Sequence, residues 1–203
     1  MEEIIDYYRK ELFPTTVFGF SNKKVANNLK KYIYTKNIDG IESNIASKIK
    51  YNLHESSFDF FQDDHKAVKE AVEFISESMC VALNDLYAEK CMYKIGFTDS
   101  WYHISKKNSV HGPHNHANCS WCGIYYLQIG DEDRGGKTIF LSPIQSNFSD
   151  LRTHCAENNL VYVTPEEGAL IIFPSYLYHY QDVYTGSKDR VVVAFNSTIV
   201  ETK

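Results

Sequence analysis

The feature that most constrains this chain is a change of period near residue 92. Downstream, apolar runs of four to eight residues alternate in side-chain character at every second position and are broken by turn-forming residues, the pattern of β-strands. We expect strands at Lys94 to Ser105, Trp121 to Ile129, Lys137 to Leu141, Leu160 to Val163, Ala169 to Phe173 and Arg190 to Ile199. Turns are expected at Gly135-Gly136, Pro165 to Gly168 and Thr185-Gly186. Upstream, a short extended start at Leu12 to Phe20 gives way to helical spacing. Between about Asn22 and Asn37, Val25, Leu29, Tyr32 and Ile33 share a face, with Ser21 or Asn22 as cap. Between about Asp64 and Ala88, Val68, Ala71, Val72, Ile75, Met79, Ala82, Leu83 and Leu86 recur three and four apart. Strands behind a helical layer predict a mainly β fold with supporting α-helices, a small barrel or jelly roll. No Gly/Pro/Ser-rich linker marks the change, so one domain over residues 1–203 is expected, with about 1–90 as helical support and about 92–200 as barrel core.

The charge balance narrows the partners. A net charge of −5 and two short basic pairs, Lys23-Lys24 and Lys30-Lys31, at helical spacing give a solvated helix face rather than a phosphate-binding surface, so no nucleic-acid role is expected. The acidic start MEEIIDYYRK lacks the apolar core of a secretory signal, and no segment approaches the roughly 18 apolar residues of a membrane span. A cytoplasm-like compartment and no membrane partner are expected. Cys80, Cys91, Cys119, Cys122 and Cys155 are odd in number and dispersed, which argues for reduced thiols rather than a disulfide scaffold.

Candidate chemistry concentrates at H-G-P-H-N-H-A-N-C-S-W-C, residues 111 to 122. In extended backbone His114 and His116 would project to one side, a spacing suited to chelation and equally compatible with a solvated polar loop. A second element, G-A-L-I-I-F-P-S-Y-L-Y-H at 168 to 179, delivers His179 after a buried-type strand, either as a distal ligand or as a structural histidine. Eleven residues on, Arg190 opens the strand V-V-V-A-F-N and needs an anionic partner there, a ligand carboxylate or a protein Asp or Glu.

The succession H-N-H at 114 to 116, Y-Y-L at 125 to 127, G-G-K-T-I-F at 135 to 140, F-P-S-x-L-x-H at 173 to 179 and D-R-V-V-V-A-F-N at 189 to 196 resembles the 2-oxoglutarate and Fe(II)-dependent oxygenases, specifically the prolyl-hydroxylase-like branch. The likeness spans about residues 92 to 200. It implies a double-stranded β-helix, a cupin-like jelly roll, whose mouth holds Fe(II) through His114, His116 and His179. It further implies that Arg190 pairs with the remote carboxylate of 2-oxoglutarate, that Tyr126 points inward with Ile124 and gives its hydroxyl to the same carboxylate, and that Asn196 shares that inward face. Position 116 departs from the family, which commonly has Asp there. Asn118 or Asp182 could approach instead, with His111 as an outer partner. The implied reaction is hydroxylation of a C–H bond coupled to release of succinate and CO2, with ascorbate as reductant. The implied substrate is a peptide or protein, a peptidyl proline first, or a small molecule.

Two other classes fit parts of the sequence. A structural zinc module would use His114, His116, Cys119 and Cys122, although strand alternation would send the two cysteines to opposite sides. A cupin-like barrel could also keep the pocket as a non-catalytic binding protein. The aromatics Trp101, Trp121, Tyr176, Tyr178, Tyr180 and Tyr184 are expected mostly as core packing. Oligomeric state is not readable from the sequence.

Overall fold

A computed structural model describes residues 14–37, 49–87, 92–143, 160–164 and 166–202. It contains β1 (Phe18–Ser21), α1 (Lys23–Lys36), β2 (Lys50–Glu55), a 3-10 turn at Phe60–Gln62, α2 (Lys66–Tyr87), β3 (Met92–His114), β4 (Trp121–Gln128), β5 (Thr138–Leu141), β6 (Leu160–Val163), β7 (Ala169–Pro174), β8 (His179–Tyr184) and β9 (Arg190–Thr202). The strands form one curled sheet in the order β1-β7-β4-β9-β3-β8-β5-β6, with β2 on β3 and every ladder pair antiparallel. This is the expected jelly roll with supporting helices. Leu12, Phe13, Ala88, Cys91, Cys155 and Pro165 lie outside the described residues. None of the described helices is long and apolar enough to cross a membrane.

Alternation explains why three central strands are apolar almost throughout. Trp121, Tyr125 and Leu127 of β4, Leu170 and Ile172 of β7, and Val191, Val193 and Phe195 of β9 pack in one cluster with the helices. Cys122, Tyr126, Ile171, Phe173 and Val192, at intervening positions, form a second cluster inside the curl. A strand covered on both faces needs apolar residues at both parities. Against the outer cluster α1 buries Ala26, Leu29 and Ile33, and α2 buries Val68, Ala71, Ile75, Met79, Ala82 and Leu83. Each Leu or Ile removed from water there stabilises the fold by roughly 2 kcal/mol. Asn22, one of the two expected caps, accepts from Val25 N–H at 3.1 Å, and its own carbonyl accepts from Tyr125 Oη at 2.5 Å, fixing α1 to β4. The turn before β7 passes so close to α1 that a Cβ on Gly168 would stand 2.6 Å from Lys23 Cα.

Three differences from the expected elements concern the site. β3 runs on past Ser105 to His114, through the positive-φ residue Asn108 and register shifts, so a strand that pairs with β9 early pairs with β2 and β8 later. β8 and β2 were not expected. Their sequences, HYQDVY and KYNLHE, lack clear apolar alternation: β8 buries His179 and Gln181, and β2 has Leu53 as its one fully buried residue. Tyr176 and Tyr178, expected in the core, are 54% and 51% exposed, since Ser175–Leu177 forms a turn that carries them out to solvent, while Trp101, Trp121 and Tyr184 are packed as expected.

Candidate metal centre

β3 ends on His114, the loop after it carries His116, and β8 begins with His179, paired directly to His114 across the ladder. One ring nitrogen of each histidine lies within 4.8 Å of the others, a set that could hold a metal ion. Two rings are oriented from behind. His114 Nδ1 is 2.8 Å from Gly112 O and His179 Nδ1 is 3.0 Å from Leu177 O. A carbonyl can only accept, so both protons sit on Nδ1 and the Nε2 lone pairs are free for a metal. His116 is fixed through its backbone, whose N–H donates to Ser175 O at 3.1 Å. Burial, reinforced by the neighbouring imidazole of His114, pushes His116 down to about 4 and His179 down to about 3. Burial likewise lowers His114. All three are therefore neutral near pH 7, the form that ligates.

The same pocket, about 490 Å³ counting open solvent at its mouth, is also lined by Arg190, Gln181, Thr138, His103 and Ile124. Arg190 is 2% exposed. One guanidinium nitrogen donates to Gln181 Oε1 at 2.9 Å, and its Nε has no acceptor. Among the described residues Arg190 forms no contact ion pair; desolvation pushes its pKa down, and the carboxylate of Asp182 acts on it only through space in the opposite sense. An anionic ligand with two acceptor oxygens would supply a contact pair. Tyr126 lies beneath the guanidinium, 5.5 Å from ring centroid to Cζ, and its hydroxyl donates to Thr138 Oγ1 at 2.7 Å. Asn196 shares the parity of Arg190 on β9, and both ends of its amide are engaged. Its Oδ1 accepts from Cys122 Sγ at 3.4 Å, and its Nδ2 donates to Asp99 Oδ2 at 3.2 Å.

Of the other residues considered at position 116's place, Asp182 accepts from Lys137 N–H at 2.6 Å, and Asn118 is exposed in the loop. His111 stacks on His114 with ring centroids 4.0 Å apart. Cys119 and Cys122 do not face opposite sides as alternation suggested. Their sulfurs are 3.8 Å apart, because Cys119 lies in the loop just after the left-handed Asn118, where strand parity does not apply. Sequence reasoning missed Gln181 and His103. Gln181 falls two residues after His179, and the period-two rule would have found it had β8 been recognised. His103 donates Nε2–H to Glu55 Oε2 at 2.6 Å, and Glu55 also pairs with Lys50, so β2 supplies a polar back wall.

The curled antiparallel sheet with three histidines at its mouth is a jelly roll of the double-stranded β-helix kind. Residues 99–196 match the model of a family described as "Putative 2OG-Fe(II) oxygenase". Similar solved structures include a prolyl-4-hydroxylase of Pseudomonas putida, with TM-score 0.63, 11% identity, and 91% of this chain and 93% of that one covered. A prolyl hydroxylase of Trichoplax adhaerens in complex with a hypoxia-inducible-factor peptide fragment gives 0.60, 14%, 90% and 83%. HygX of Streptomyces hygroscopicus with nickel and 2-oxoglutarate bound gives 0.58, 12%, 91% and 83%. These likenesses are of fold. No curated protein sequence matches the chain.

Proposed function

We propose that the chain is a 2-oxoglutarate-dependent dioxygenase that hydroxylates a C–H bond, with His114, His116 and His179 holding Fe(II) and Arg190 pairing with the remote carboxylate of 2-oxoglutarate. One observation carries this reading: three mutually facing imidazoles and a buried guanidinium whose Nε has no acceptor occupy a single pocket. When bound, the ferrous ion supplies oxygen activation, coupling decarboxylation of 2-oxoglutarate to succinate and CO2 with hydroxylation of the substrate.

The residues of the chain bind and orient. Arg190 holds one end of the cosubstrate by a bidentate pair, and Ile124 lines the same pocket, while Tyr126 and Asn196 share the inner faces of β4 and β9 behind it. His114, His116 and His179 would hold Fe(II), which would supply the site at which the cosubstrate and dioxygen react. The three ligands are neutral, so the dianionic cosubstrate supplies the negative charge the site lacks and is expected to bind before oxygen. Ascorbate serves as reductant for off-cycle oxidation of the metal. The substrate we favour is a peptidyl proline in a peptide or protein, supported by the prolyl hydroxylases among the similar folds. A small molecule is the other substrate class.

The test is anaerobic titration with Fe(II) and 2-oxoglutarate, read by the weak visible charge-transfer band of that chelate, followed by admission of oxygen and a succinate assay. Wild type is expected to give both signals, His179→Ala neither, and Arg190→Ala a band only at much higher cosubstrate. Zinc retained through His179→Ala, without band or succinate in wild type, would sink the reading.

A further inference from the structure

Cys119-x-x-Cys122 has no part in the reading above, although it sits against the metal pocket. Both cysteines are free thiols, 3.8 Å apart, and Cys122 lines the pocket. We propose that Cys119 and Cys122 are a redox pair, and that their reversible oxidation to a disulfide weakens metal binding at the adjacent histidines.

The two thiols are placed for different roles. Cys119 is partly exposed in its loop, whereas Cys122 is 2% exposed, and burial, with Cys119 beside it, pushes its thiol well above the ordinary cysteine range. Cys119 therefore meets an oxidant first, and Cys122 resolves the product. With a peroxide, the Cys119 thiolate sulfur attacks oxygen, the O–O bond breaks, and the leaving hydroxide takes up the thiol proton as water. This leaves Cys119 as a sulfenic acid. Cys122 sulfur then attacks Cys119 sulfur, the S–O bond breaks, and a second water departs with the Cys122 proton. Two thiols lose two electrons, and one peroxide becomes two waters. A disulfide requires sulfurs about 2.0 Å apart, so closure draws them together by about 1.8 Å.

That movement is wired to the ligands. Cys119 O accepts from Ser175 Oγ at 2.7 Å, Ser175 N–H donates to Ser120 O at 3.0 Å, and Ser175 O accepts from His116 N–H at 3.1 Å. Ser175 also opens the turn that delivers His179. The dithiol loop thus reaches both ligands through Ser175, His116 by a backbone hydrogen bond and His179 by the turn. Closure also takes from Asn196 the S–H that donates to it.

The test uses metal-free full-length protein treated with hydrogen peroxide, alkylated, and mapped by peptide mass, with Mn(II) affinity measured by calorimetry before oxidation, after it, and after dithiothreitol. We expect the peptide carrying both residues to lose two hydrogens and escape alkylation, and Mn(II) affinity to fall about tenfold, the scale of outer-shell effects, and recover on reduction. Cys122→Ser should stop at a sulfenic acid trapped by dimedone and keep its Mn(II) affinity after oxidation. Alkylation of both sulfurs after peroxide, or irreversible mass gain without linkage, overturns the pair. Linkage with unchanged affinity overturns the coupling. The thiol map is independent of the oxygenase reading, which the Mn(II) affinity of the reduced protein examines separately.

Discussion

Gln181 gives Arg190 a neutral acceptor, at 2.9 Å, in the place where a carboxylate would neutralise it. It is itself braced by Ser105 and Ser109, whose hydroxyls lie 3.2 and 3.3 Å from the two ends of its amide. Gln181→Glu would put a buried anion beside the guanidinium and compete with any ligand carboxylate. We expect the half-saturating 2-oxoglutarate concentration to rise by about tenfold or more, equivalent to about 1.4 kcal/mol, with Mn(II) affinity near wild type. An unchanged cosubstrate requirement would remove Arg190 from the cosubstrate site. A second residue-scale prediction concerns Asp63. Desolvation raises its carboxyl, but hydrogen bonds from Lys36 and Tyr32, both 2.6 Å, outweigh that and hold it at about 2. A depressed carboxyl stabilises the fold fully above its unfolded value near 3.9 and progressively less as pH falls towards its folded value. Wild type should therefore melt higher than Asp63→Asn above pH 4, the gap closing by about pH 2. A pH-independent gap in melting temperature would contradict this assignment.

At the scale of elements, legibility in the sequence followed apolar content. α1, α2, β4, β7 and β9 carry buried faces against other elements, and their periodicity located each to within a few residues. β8 brings His179 and Gln181 to the pocket, β2 sets Glu55 behind the pocket residue His103, and neither strand alternates cleanly in apolar residues, so the pattern hid both. The histidines and Arg190 were legible as unusual residues in motif order, whereas Gln181 and His103 become visible once β8 and the strand parity of β3 are known. Gly123 tests how tightly the central strands fit. A Cβ there would lie 2.2 Å from Phe195 Cζ and 3.1 Å from Ile171 O. Gly123→Ala should destabilise by about 1–3 kcal/mol through overpacking, seen as a lower urea midpoint with an unchanged slope. A neutral result would mean that Phe195 has room to turn aside. On the helical layer, Leu29→Ala removes a fully buried side chain and should cost about 2–5 kcal/mol in the same assay, a loss below 1 kcal/mol being incompatible with its burial.

For the molecule as a whole, any ion held by the three histidines binds the folded chain and not the unfolded one. Mn(II) at a hundred times its dissociation constant should add about 2.7 kcal/mol, a melting shift of about 5–10 °C for a protein of this size. His179→Ala should lose that shift, and its retention would place the ion elsewhere. The ladder between β3 and β9 has a further consequence. It joins Met92 to Thr202 and Ser105 to Arg190, contacts 110 and 85 residues apart along the chain, and His114 meets His179 across 65. Contacts this distant close large loops before they are rewarded, which assigns the protein to the slow, millisecond-to-second folders. On the ribosome, Trp121–Gln128 must wait for Arg190–Thr202 to be synthesised before its own edge is covered. The curl therefore closes only once β9, the last of these strands to be made, has entered between β3 and β4.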